Sequence, residues 1–312
     1  MVMSKNSDKM KSKEYKKALV IFIDILGSQS RNDFNELLEI NELFHDEMIN
    51  NQEQDREYVA YQRHIYTFSD CAYIFYSYKD NIDKSYNNLG SLFEVALYNC
   101  EPLLMKFLSR GLVFRGGVSY GNVYYDENRS MFFGEAVNRA FLYESKIAKY
   151  PRIILEKFVV ETISNYNKQE KFIAKLDSDN QYYFHFLNSI QQGKDYSLII
   201  DKGNKEFISY VISMCDTNIE KFSENNNIRS KYEWLKKYVI QSKNDIVGES
   251  IVYQKPFWDS MFDKLSKKMI RTMLTEPDFL LWNLKNVDVP ADKIQFEKYT
   301  ESIIDSMEKY LK

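Results

Sequence analysis

Asp24 closes the apolar run ALVIFIDI at 18–25, and Asp70 stands in the short link TFSD at 67–70 between two strand-like stretches. A carboxylate at the edge of a buried strand is costly to desolvate unless a partner compensates it. If the first strand and the hairpin are neighbours, both carboxylates converge on one point at the strand ends. That geometry suits two divalent cations around a triphosphate, one activating an attacking hydroxyl and one neutralising the leaving pyrophosphate. Each aspartate also has a plainer reading, Asp24 as a strand-terminal residue and Asp70 as an Asx-turn residue after Ser69.

The bulk composition is compatible with such small-molecule chemistry. Hydrophobic residues make up 44% of the 312 positions and aromatics 15%, which predicts a folded chain despite 28% charged residues. A formal net charge of -3 supplies no broad cationic field, which argues against nucleic acid or a membrane surface as the main partner. Cys71, Cys100 and Cys215 form no CxxC pair, so reduced structural thiols are expected rather than disulfides or a zinc site. His45, His64 and His185 have no metal-ligand spacing. The basic start MVMSKNSDKMKSKEYKK precedes a short apolar run that itself contains Asp24, so neither a signal peptide nor an anchor is expected, and the location read from this is cytoplasmic.

The elements that must position the aspartates follow from periodicity. Residues 18–25 read as a buried central strand, and Phe34, Leu37, Leu38, Ile40, Leu43 and Phe44 recur at helical spacing with Asn32 or Asp33 as the cap. Strands are predicted at 58–66 and 71–76, a helix at 91–110 closed by Gly111, and a glycine-rich strand in LVFRGGVSYGNVYY. Five of the ten glycines, Gly111, Gly116, Gly117, Gly121 and Gly134, fall in this one stretch, which implies positive φ or close backbone approach. A helix at 135–149 and a short strand at 152–155 follow, with Pro151 between them. The expected fold is α+β, a ferredoxin-like βαββαβ pattern with helices on one sheet face and a C-terminal helical extension. The domain expectation is a basic tail at 1–16, a catalytic domain at 17–200 and the extension at 201–312, with helices at 205–222, 228–241, 256–274 and 294–311.

The segments IFIDILG, TFSD, FRGGVSYG and FFGEAVNRAFLYES, in this order over roughly 17–190, resemble the class III adenylyl and guanylyl cyclases. FIDILG, RGG and PRI at 151–153 are most similar to the pyrimidine cyclases of the bacterial Pycsar anti-phage system. The resemblance implies a head-to-tail homodimer with active sites at the subunit interface. It implies that Asp24 and Asp70 are the ligands of two Mg²⁺ or Mn²⁺ ions, with the Ile25 carbonyl as a further ligand.

The same alignment of motifs assigns the remaining site. Tyr66 stands four residues before Asp70, where purine cyclases carry a base-reading lysine, and Met131 stands seven before Asn138, where they carry a polar group. A purine edge would be left unpaired by these two, whereas a tyrosine narrows the pocket and offers a stacking face. This favours UTP or CTP, with UTP as the first choice and Phe22, Tyr66 and Met131 as the substrate-contacting residues. Asn138 matches the asparagine that orients the ribose. Leu142 replaces the transition-state arginine four residues later, so Arg139, on nearly the same helix face, or Arg115, in the glycine-rich strand, is expected to supply the cation. Arg152 and Lys146 are further triphosphate candidates, and a surface salt bridge is the plainer reading of Arg139 and Arg115.

Together these imply a lyase that closes UTP or CTP into cUMP or cCMP and pyrophosphate, a second messenger sensed by a separate effector in antiviral defence. The alternatives are an adenylate or guanylate cyclase, or a non-catalytic nucleotide-binding dimerisation module of the same fold.

Overall fold

The computed structural model describes residues 14–27, 31–52, 60–80, 82–83, 87–126, 129–167, 173–191, 196–200 and 202–244. The expected helices at 256–274 and 294–311 and most of the basic tail lie outside these residues. The described residues fall into two compact units, one drawn from 1–107 and 112–185 and the other from 108–111 and 186–312.

The first unit is mixed α and β. Its chain order is β1 (Lys16–Ile25), α1 (Phe34–Gln52), β2 (Tyr61–Phe68), β3 (Cys71–Tyr78), α2 (Leu89–Ser109), β4 (Phe114–Asp126), β5 (Met131–Phe133) and α3 (Glu135–Leu142). A π-helical turn (Tyr143–Ile147), β6 (Ile153–Leu155), α4 (Lys157–Tyr166), β7 (Ala174–Leu176) and β8 (Tyr182–Phe184) follow. Seven strands hydrogen-bond in the order β2-β3-β1-β4-β6-β8-β7, with β5 paired to β4 as the eighth. β1 is antiparallel to both β3 and β4, and β6 is parallel to β4.

β1 is the central strand because nothing on it but its ends is polar; Ala18 through Ile23 and Ile25 are buried. Its pleat sorts them into two layers. On one face, Ile74 of β3, which pairs with Ile21, and Ile65 of β2 meet Phe44 of α1 and Cys100 and Leu103 of α2. On the other face, Ala18, Val20 and Phe22 pack with Phe75 and Val123 under Ala136, Val137 and Ala140 of α3. The expectation of helices on one face is therefore corrected. α3 lies on the face opposite α1 and α2 because its short apolar stripe matches the even-numbered side of β1, which a period of two cannot assign to a partner in advance.

Gly117 permits this arrangement, since a Cβ there would stand 2.2 Å from the Ala140 carbonyl oxygen. The helix expected to run to 149 instead turns π-helical after Leu142, with Ala148 donating to the Tyr143 carbonyl at 2.7 Å. Asp33 caps α1 through Oδ1, which accepts from the Glu36 amide at 3.0 Å. The link at 67–70 is shorter than its four residues suggested, because Thr67 and Phe68 continue β2 and only Ser69 (φ 56) and Asp70 turn.

The second unit is helical: α5 (Asn188–Gln191), α6 (Ser197–Ile200), α7 (Asn204–Lys221) and α8 (Asn226–Asn244). Phe207, Ile208, Val211 and Cys215 of α7 and Leu235, Tyr238 and Val239 of α8 are buried. Among the described residues, none of the three cysteines forms a disulfide. No helix among the described residues is long and apolar enough to cross a membrane.

Candidate functional site

β1 and β3 end side by side, and this brings Asp24 and Asp70 together. Asp24 pairs in register with Cys71, and the Ile25 amide donates to the Asp70 carbonyl at 3.1 Å. Asp24 shares the even face of β1 with Phe22 and α3. Its carboxyl is held above the ordinary carboxylate range by burial, with Arg115 opposing the shift and Asp70 adding to it. The neighbouring Cys71 thiol is pushed up to about 12 by burial, then by Asp24, Asp70 and Glu144 in turn. One thiol therefore registers three carboxylates at this end of the sheet.

Each aspartate has its own arginine. Arg115, which pairs with Asp24 across β1 and β4, places Nε 3.3 Å from Asp24 Oδ2 and 2.5 Å from Glu144 Oε1. Asp70, only 4% exposed, has Arg31 Nη1 at 3.7 Å from its Oδ2. That gap is too long for a hydrogen bond. Both Asp70 Oδ2 and Arg31 Nη1 are buried with no hydrogen-bond partner among the described residues.

Glu144 is a site residue that the sequence motifs did not single out. It is 3% exposed on the π-helical turn, and burial pushes its carboxyl up to about 7 against the pull of Arg115. A signal for it exists in the sequence. Ala136, Ala140 and Glu144 form a row at four-residue spacing, so a carboxylate continues the buried stripe of α3. The π turn carries it over Gly117 to Asp24, and single π turns of this kind recur at functional sites.

The other expected residues separate into those that approach this end and those that do not. Phe22 is buried against Tyr73 at 4.4 Å between ring centroids and Phe141 at 5.9 Å, and Phe132 meets both Tyr73 and Tyr66 at 4.9 Å. Met131 does not face Tyr66, because the pleat of β5 turns Phe132 to that side and Met131 with Phe133 to the other. Asn138 is exposed on α3. Within this chain Arg139 does not meet Asp24. Its Nη2 donates to the Tyr120 carbonyl at 2.6 Å and its Nε lies 3.3 Å from Glu156, five residues or about 17 Å along β4 from Arg115. Its position three residues before Leu142 points it toward the middle of the strand.

Arg152 is fully buried and committed elsewhere, with its terminal nitrogens paired to Asp177 and Asp179. Lys146 is exposed in the last turn of the π element.

Two carboxylates are a suitable donor set for a hard cation that keeps most of its waters and substrate phosphates. Asp70 Oδ2, buried without a hydrogen-bond donor among the described residues, fits that role. Among the described residues no group of three or more His, Cys, Asp or Glu is placed to hold a metal ion by itself. A divalent ion here would thus depend on a ligand-borne oxygen as well as on the chain. No protein-family model matches the chain, and no curated protein matches it.

Proposed function

We propose that this chain is a nucleotidyl cyclase of the class III kind, closing a pyrimidine nucleoside triphosphate, UTP ahead of CTP, into its 3′,5′-cyclic monophosphate. The observation that carries the reading is the adjacency of Asp24 and Asp70 at the joined ends of β1 and β3. The order β4-β1-β3-β2, antiparallel throughout, is the ferredoxin-like arrangement expected of that fold and gives the reading independent support.

Asp24 and Asp70 would hold Mg²⁺ or Mn²⁺, which when bound supply acidity at the 3′-hydroxyl and offset charge on pyrophosphate. Asp24 has the accessible face for this and Asp70 the unmatched oxygen. Phe22, Tyr66, Tyr73 and Phe132 form an aromatic wall suited to stacking one small ring. Asn138 projects to the surface of α3 beside Phe141 and Leu142, which are 46% and 49% exposed. Large apolar residues left open next to a ribose-orienting amide support a homodimer in which a second copy covers them. A cyclic nucleotide product read by a separate effector, in defence against phage, belongs to the same proposal and rests on the resemblance alone.

Incubating the purified chain with each of the four NTPs and Mn²⁺ and identifying the cyclic product tests this directly. Cyclic UMP or CMP with pyrophosphate is the expected outcome; cyclic AMP or GMP alone moves the substrate to the purines. Leu142 favours one second reading, a nucleotide-binding dimerisation module without turnover. That reading requires Asp70→Ala to leave nucleotide affinity intact while neither protein makes a cyclic product.

A further inference from the structure

The cyclase reading lacks one part, a cation for the phosphates in place of Leu142. Arg139 is tied to Tyr120 and Glu156, and Arg115 is shared between Asp24 and Glu144. Arg31 differs from both in where its unmatched nitrogen lies: among the described residues Arg139 Nε is also buried without a hydrogen bond, but beside Glu156, whereas Arg31 Nη1 stands beside Asp70. Its Nε is anchored 2.6 Å from Glu36 Oε1 on the first turn of α1, and its side chain is 14% exposed. The guanidinium lies over Gly27, 3.6–3.8 Å from where a Cβ would stand, on a turn whose φ of +97° suits glycine. One arm is thereby fixed while, among the described residues, Nη1 remains buried without a hydrogen bond beside an equally unmatched Asp70 oxygen.

A guanidinium held at Nε and unsatisfied at a terminal nitrogen is costly by itself, and it is the geometry that takes a phosphate oxygen. We propose that Arg31 grips the polyphosphate tail of the substrate, between Asp70 and the start of α1, and supplies the positive charge missing at position 142. The charges are consistent with this. Asp70 is neutralised by Arg31 only at 3.7 Å, so a divalent ion reaching Asp70 with its polyphosphate leaves Arg31 nearest to the anion rather than to the aspartate. Glu36 keeps the arginine in place during that exchange, as its positioning residue. The assignment rests on the cyclase reading for the identity of the tail, but not for the binding of a polyphosphate.

The test uses the full chain with inorganic tripolyphosphate and Mn²⁺, followed by calorimetry, with Mn²⁺ binding alone followed by electron paramagnetic resonance. Arg31→Gln is expected to weaken tripolyphosphate binding about ten- to a hundredfold while Mn²⁺ affinity stays level or rises, because a competing cation has left Asp70. A merely structural arginine would lower both. Arg31→Lys retains the charge and serves if the glutamine variant does not fold; a loss of several-fold is expected. Tripolyphosphate affinity equal to wild type in either folded variant overturns the assignment, as does a wild-type chain that binds no tripolyphosphate. If binding follows Arg31 while none of the four NTPs is cyclised, the cyclase reading falls and the polyphosphate site stands.

Discussion

Arg152 and Arg115 each join two carboxylates in the same unit, yet the two clusters are in opposite states. Arg152 is wholly buried, and although its Nε has no hydrogen bond among the described residues, its terminal nitrogens meet Asp177 and Asp179 on one short turn; the Asp179 carboxyl is held below the ordinary range by those bonds. At the acidic end of β1 the carboxyls go the other way. Asp24 and Glu144 are raised by burial in spite of Arg115, and Asp70 and Arg31 face each other without a bond. A cluster whose charges are matched contributes to folding, whereas one left with excess buried carboxylate carries a cost that a ligand can relieve. The difference separates a structural ion pair from a candidate site by physical state rather than by motif.

Substitutions with opposite signatures break this comparison most sharply. If the proposed cyclase activity holds, Asp24→Asn is expected to lower cyclic-nucleotide formation about a hundred- to a thousandfold, read by product assay, while the unfolding midpoint stays level or rises as a buried charge is removed. A large fall in stability for that variant would make Asp24 another structural charge. Arg152→Met is expected to do the reverse, costing about 3 kcal/mol in chemical denaturation because Asp177 and Asp179 lose their shared partner. A smaller loss would show that the turn at 177–179 holds without it.

The smallest effect sharpens the contrast through pH. The raised Glu144 carboxyl keeps its proton in the folded chain between about 4.5 and about 7, where the unfolded chain has released it. The folded state then binds more protons in that window, so stability falls as pH rises through it. In metal-free buffer Glu144→Gln is expected to lessen that fall, seen as a shallower dependence of the denaturation midpoint on pH. An unchanged slope would mean that Glu144 is charged throughout and already matched by Arg115.

Much of the positioning frame is legible in the sequence. The apolar run at 18–25 is the central strand, the periodic residues from Phe34 are a helix, and Gly111, with φ 75, closes α2 where its residue type indicated. Asp24 and Asp70 stood out because each places a charge where burial penalises it. Residue type and local period carry those statements, since both are properties of a few consecutive positions.

The partners of those charges required the assembled sheet. Arg31, Arg115 and Glu144 lie 7, 91 and 120 residues from Asp24 in the sequence, and only the pairing of β1 with β4 and the π turn over Gly117 brings the last two to it. The same tertiary packing removed Arg139 to the middle of β4 and turned Phe132, not Met131, toward Tyr66. Helical and strand periods say which residues share a face, but not which face meets which neighbour. Ion pairing depends on that second choice, so the sequence alone determined the aspartates and their strand, and the fold decided which cations answer them.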